Sequence, residues 1–104
     1  MKIKIGNDIV QIERIANLDE PTKKKIFHKT ELNKSKPETL AGIFAAKEAC
    51  KKVFNDLDWL DIEIKKKKNG KPVLILNDEL IEFTNSDLSI SHDGDYATAI
   101  VIFT

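Results

Sequence analysis

The segment LAGIFAAKEACKKVF, residues 40–54, is the longest apolar stretch in the chain, and Pro37-Glu38 just ahead of it supplies a helix start. At about 100° per residue, Ile43, Ala46, Ala49, Cys50, Val53 and Phe54 share one broad face. A helix with such a face needs a sheet to cover it. Lys2-Ile3-Lys4-Ile5 alternates with the period of a strand, Gly6-Asn7-Asp8 breaks the pattern, and Ile9, Ile12 and Ile15 predict a short helical continuation. Glu20-Pro21 opens a lysine-rich helix over residues 22–28, and Thr30-Glu31-Leu32 begins a further turn. Beyond Asn55-Asp56, which ends the long helix, Asp61-Ile62-Glu63-Ile64 alternates, Asn69-Gly70 signals a hairpin, and residues 73–76 return as its partner. A second hairpin runs from Ser89-Ile90-Ser91-His92 through Asp93-Gly94-Asp95 into Tyr96–Phe103. That last strand is nearly all apolar, so it requires cover on both faces, from the long helix or from another subunit. Strand, helices and then hairpins together predict an α+β domain.

At 104 residues, without an internal repeat or a Pro/Gly/Ser linker, residues 1–104 read as a single domain. A hydrophobic content of 41% with 33% charged residues is that of a globular protein. No stretch reaches the roughly 20 apolar residues of a membrane span, and MKIKIGND lacks the apolar run of a signal peptide. The lone Cys50 excludes an intrachain disulfide and a cysteine-based zinc site, which fits a cytoplasmic protein. The net charge of zero conceals a division: residues 1–71 hold all 17 Lys and Arg with 11 acids, whereas residues 72–104 hold 6 acids and no Lys or Arg. Nothing here resembles a general nucleic-acid binder. The basic part either receives a local polyanion or is simply a solvated face.

Phe44, Glu48 and Lys52 follow one another at i, i+4, i+8 along the edge of the helix's apolar face, with Lys51 beside them. This spacing fits a Glu-to-Lys pair worth about 0.2–0.5 kcal/mol. It equally fits a carboxylate that binds a hard cation or accepts a proton beside an ammonium that neutralises a phosphate, given a second carboxylate nearby. Asp8 is the natural second carboxylate, because a short side chain just after a strand can be aimed across the molecule. With Gln11 three residues on, Asp8 also resembles a helix N-cap with a capping box. His92 is a polar strand-end residue that becomes functional only beside a phosphate, and His28 reads as solvated. The run Lys65-Lys66-Lys67-Lys68 is a charged hairpin tip. It matches no familiar phosphate-loop pattern.

Four ordered segments go further. Ile5-Gly6-Asn7-Asp8-Ile9-Val10 with Ile12-Glu13-Arg14-Ile15, Leu40-Ala41-Gly42 with Phe44-Ala45-Ala46-Lys47-Glu48-Ala49 and Lys52, Asn69-Gly70-Lys71-Pro72, and Ser89-Ile90-Ser91-His92 with Tyr96-Ala97 stand in one order at characteristic spacings. Over essentially its whole length the chain resembles bacterial holo-acyl-carrier-protein synthases, which are small 4′-phosphopantetheinyl transferases. The resemblance implies the fold of that family, a small antiparallel sheet packed with one long helix and shorter helices. It implies transfer of the 4′-phosphopantetheine arm of coenzyme A to a serine of apo-acyl carrier protein, releasing adenosine 3′,5′-bisphosphate and supporting fatty acid biosynthesis.

On matching positions, the resemblance assigns Mg2+ to Asp8 and Glu48 and the serine proton to Glu48. Lys52 would meet the departing phosphate, His92 would contact the phosphates from the other end, and Gly70 and Pro72 would line the nucleotide. Arg14, with Lys24 and Lys25 matching in charge only, would face the carrier protein. A homotrimer with active sites between subunits is implied as well, which would account for the apolar last strand. Two departures stand out. Ile43 occupies a position where family members commonly carry arginine, and the segment between Glu31 and Leu40 is short. A non-catalytic coenzyme A or carrier-protein binding module of the same fold is the alternative that Ile43 leaves open.

Overall fold

The computed structural model describes residues 2–33, 35–77, 79 and 81–104. Strand β1 (Lys4–Gln11) leads into helices α1 (Ile12–Ala16), α2 (Glu20–Ile26), α3 (Lys29–Leu32) and α4 (Pro37–Val53). A 3-10 turn at Trp59–Asp61 precedes β2 (Ile62–Lys66), β3 (Pro72–Leu76), β4 (Ser86–Asp93) and β5 (Tyr96–Phe103). The first strand pairs with the last: one antiparallel sheet has the order β1-β5-β4, and β2-β3 form a separate two-stranded sheet. The α+β architecture is as expected from the sequence.

After its first turn, helix α4 is buried all round from Leu40 to Lys47, and again at Ala49 and Cys50. It lies on the inner face of the three-stranded sheet, against Val10, Ala97, Ala99, Val101 and Phe103. Alanines 41, 45, 46 and 49 are fully enclosed, so the helix backbone rides close to the strands. Asp19 caps α2 by accepting the Thr22 N–H at 2.8 Å, and this bond holds its carboxyl below the ordinary range.

Two sequence expectations at the N-terminus are corrected. Gly6-Asn7-Asp8 does not break the strand, for β1 runs through it to Gln11 in register with all of β5. A Cβ on Gly6 would stand 2.3 Å from the Ala49 carbonyl oxygen, so the glycine is required by the approach of strand to helix. Asp8 is therefore no helix cap either. Helix α1 starts at Ile12 with Gln11 as its N-cap, whose side chain makes no capping bond.

On the outer face of the same sheet, Ile5 is cross-strand to Ile102, Asn7 to Ile100 and Gln11 to Tyr96. Ile5, Ile9, Tyr96, Ile100 and Ile102 are all exposed there. Within the chain, β5 is covered on one face only, its residues alternating exposed and buried. No described helix is long and apolar enough to cross a membrane.

Candidate active site

The approach that Gly6 permits brings Asp8, two residues further along the inner face of β1, to the edge of α4 that carries Glu48 and Lys52. Lys52 Nζ donates to the Asp8 Oδ1 at 3.0 Å and to the Asn7 carbonyl at 2.8 Å. Its side chain is 53% exposed and that of Asp8 16%, so the pair lies at the rim between core and solvent. Glu48, one turn before Lys52 and next to the Ala49 carbonyl that touches β1, is half-buried. The edge predicted from helical spacing thus runs from a buried Phe44 through a half-buried Glu48 to an exposed Lys52.

Two carboxylates from facing elements supply hard oxygen donors, and the Asp8 oxygen already meets one cation in the Lys52 ammonium. Among the described residues, no three His, Cys, Asp or Glu side chains converge on one point. A divalent ion here would complete its shell with water and ligand oxygens, the usual habit of Mg2+.

Other candidate residues are arranged around this edge at a distance. His92 is exposed near the end of β4, opposite Ala97. It lines a cavity with Gln11, Glu13, Glu38 and Asp95. Relative to Asp8 it lies two strands across and two residues along, about 12 Å by ordinary sheet spacing. One chain therefore does not bring His92 to Asp8, Glu48 and Lys52. Gly70 sits in the β2–β3 loop with φ +85°, where its N–H donates to the Lys67 carbonyl at 2.9 Å. This is a turn followed by a left-handed residue, the bulged form of hairpin. Nothing lies within 4 Å of where its Cβ would be. Pro72 begins β3 and lines a small cleft with Lys71 and Asp87, and Lys71 holds the Asp87 carboxylate at 3.5 Å.

Arg14 projects from α1 with its guanidinium 5.7 Å from the Phe44 ring centre. Phe44 stacks on Trp59 at 5.1 Å, and Lys51 covers the Trp59 ring at 3.9 Å. Lys24 and Lys25 are exposed on the last turn of α2. Ile43 is buried and floors a groove whose walls include Lys36, Lys65 and Lys66.

The sequence reading missed a buried ion pair. Lys47, which precedes Glu48, meets Glu31 at 2.7 Å with both side chains wholly enclosed. Burial pulls the Lys47 ammonium below the ordinary lysine range, and Glu31 opposes that pull. Its position four residues after Ile43 and three before Cys50 places Lys47 on the apolar face, a signal that its charge masks. His28, expected to be solvated, is half-buried, and its Nε2 is enclosed without a hydrogen-bond partner among the described residues.

Residues 4–101 match a family model described as the 4′-phosphopantetheinyl transferase superfamily. The chain belongs to this superfamily. A holo-[acyl-carrier-protein] synthase of Campylobacter fetus is 40% identical, the match covering 94% of this chain and 96% of that protein. The one from Bacillus subtilis is 38% identical over 94% of this chain and 92% of its own length. Among solved structures, the Helicobacter pylori synthase in complex with coenzyme A superposes with a TM-score of 0.86 at 34% identity, covering 97% of this chain and all of that one. The Bacillus anthracis synthase, also in complex with coenzyme A (3′,5′-ADP), gives 0.81 at 33% identity, over 95% and 93% of the two chains. The 4′-phosphopantetheinyl transferase fold expected from the sequence is thus the fold observed.

Proposed function

We propose that this protein transfers the 4′-phosphopantetheine arm of coenzyme A to a serine of apo-acyl carrier protein, in the cytoplasm and in support of fatty acid biosynthesis. The observation that carries the reading is the bond from Lys52 to Asp8, which puts a carboxylate of β1 against the helix edge bearing Glu48. Asp8 and Glu48 would hold Mg2+, which when bound would neutralise pyrophosphate oxygens and polarise the phosphorus under attack.

The residues of the chain then have distinct tasks. Glu48 takes the proton of the serine hydroxyl as its oxygen bonds to the β-phosphorus. The bond from that phosphorus to the bridging oxygen breaks, and the electron pair leaves on adenosine 3′,5′-bisphosphate. Lys52, mobile enough to exchange Asp8 for a phosphate oxygen at its exposed position, offsets the charge that accumulates there. Gly70, with open space beside its backbone, and Pro72 line the nucleotide. Lys36, Lys65 and Lys66 surround Ile43 and supply the positive charge that an arginine at that position would carry. Arg14, held over Phe44, presents its charge to an acidic carrier together with Lys24 and Lys25.

We further propose a homotrimer with the reaction site between neighbouring copies. Exposed Ile5, Ile9, Ile100 and Ile102 on a sheet face support it, since contiguous apolar surface of this kind marks an interface. The separation of His92 from Asp8 supports it as well, because His92 of a neighbouring subunit would close the site on the phosphates.

The test is incubation with apo-acyl carrier protein, coenzyme A and Mg2+, followed by mass spectrometry of the carrier beside a working synthase. The carrier gains the mass of the arm. An unmodified carrier overturns the reading, and in that case a rise in melting temperature with coenzyme A identifies the non-catalytic binding module instead.

A further inference from the structure

The buried pair Lys47–Glu31 lies outside the chemistry just described, and its contacts reach much of the molecule. The three protons of the Lys47 ammonium face three oxygens: Glu31 Oε1 at 2.7 Å, the Ile26 carbonyl at the end of α2 at 2.7 Å, and the Trp59 carbonyl at 3.3 Å. Glu31 Oε1 also accepts the His28 N–H at 2.8 Å, and Oε2 accepts the Ile64 N–H of β2 at 2.9 Å. One charged pair therefore ties α2, α3, α4, the 3-10 turn and β2 together.

Only a carboxylate suits position 31. Three donors face its two oxygens, so an amide would set its NH2 group against one of them. Stability alone does not explain the arrangement, because removing two ions from water costs several kcal/mol and apolar pairs of similar size are often as stable. What apolar side chains lack is direction. The β2–β3 hairpin belongs to a different sheet from β1, β4 and β5. Its described polar ties to the rest of the fold are the exposed Thr30–Glu63 and Lys71–Asp87 contacts and the buried bond from Ile64 to Glu31. The buried bond is fixed by Lys47, and Lys47 adjoins Glu48.

We infer that Lys47 and Glu31 are positioning residues that set the β2–β3 hairpin, and with it Gly70 and Pro72, at a fixed place relative to Glu48 on α4. The inference rests on the transferase reading for the meaning of that placement. Asp8 is outside this linkage, since β1 meets α4 directly through Gly6 and Ala49.

The test replaces both ions by apolar side chains, Lys47→Met with Glu31→Leu, and follows two readouts beside wild type. Amide exchange of residues 62–66 and 73–76 should quicken about tenfold while that of β1 and β5 holds. The KM for coenzyme A should rise about tenfold with the Mg2+ concentration for half-activation unchanged, as expected when a binding element is displaced from a fixed catalytic edge. A folded double variant with wild-type exchange, exchange quickened equally in both sheets, or an unchanged KM overturns the inference. Should that variant not fold, Glu31→Asp, still charged but too short to serve Lys47 and Ile64 together, is read in the same two ways. If wild type transfers no arm, the transferase reading falls, and the exchange comparison alone decides whether the pair holds the hairpin.

Discussion

The ammonium of Lys52 stands 3.0 Å from the Asp8 carboxylate, across the junction of the first strand and the long helix. An ion pair so exposed contributes about 0.2–1 kcal/mol. Asp8 caps no helix, so its value is chemical. Asp8→Ser should change the unfolding free energy by less than about 1 kcal/mol and lower turnover by about 100-fold or more, in line with loss of a metal ligand. Urea titration and the carrier mass-shift assay measure the two effects. A comparable fall in both would mean that Asp8 is structural.

Gly6 makes that junction possible. Gly6→Ala places a methyl carbon 2.3 Å from a main-chain oxygen of a packed helix, an atom that cannot rotate aside. The strand must move, at a cost of about 1–3 kcal/mol. Because Asp8 follows two residues later, the variant should lose activity even where it is folded. Equilibrium unfolding and activity assayed well below the midpoint separate the two losses.

The local parts of this fold were legible and the long-range parts were not. Asn69-Gly70 and Asp93-Gly94-Asp95 announce their hairpins because a turn is decided by its own residues. That Phe44, Glu48 and Lys52 lie in one line along α4 follows from helical period alone. Gly6, however, reads as a strand break, because the carbonyl that requires it lies on a helix more than forty residues away. The burial of Lys47 is hidden by its charge until Glu31, sixteen residues earlier, is seen against it. The capping box suggested by Asp8 and Gln11 failed to the same cause, since pairing with β5 at the other end of the chain extends β1 through both.

Cys50 is enclosed in the core, and burial pushes its thiol up to about 12, Lys47 opposing only weakly. In the unfolded chain the thiol ionises near 9.0. The folded state thus binds the proton more tightly, and this contribution to stability is complete below pH 9 and is lost as pH rises toward about 12. Native protein at pH 8 should resist iodoacetamide, while protein in urea should be alkylated. Cys50→Ala should flatten the alkaline fall in stability, as read by unfolding midpoints across that window. Rapid alkylation of the native protein would show the core to open there.

The arrangement of His92 and Asp8 gives the trimer a decisive test. If each site takes Asp8 from one copy and His92 from the next, neither Asp8→Asn nor His92→Ala alone leaves a complete site in a pure oligomer. Refolding the two variants together at equal amounts should place both native side chains at about a quarter of the interfaces, so the mixture should recover about a quarter of wild-type activity. Ile100→Asp, which charges the exposed sheet face, should yield monomers by sedimentation that remain folded and cannot be complemented. A mixture no more active than its inactive parents would place the Asp8 and His92 of each site on the same chain.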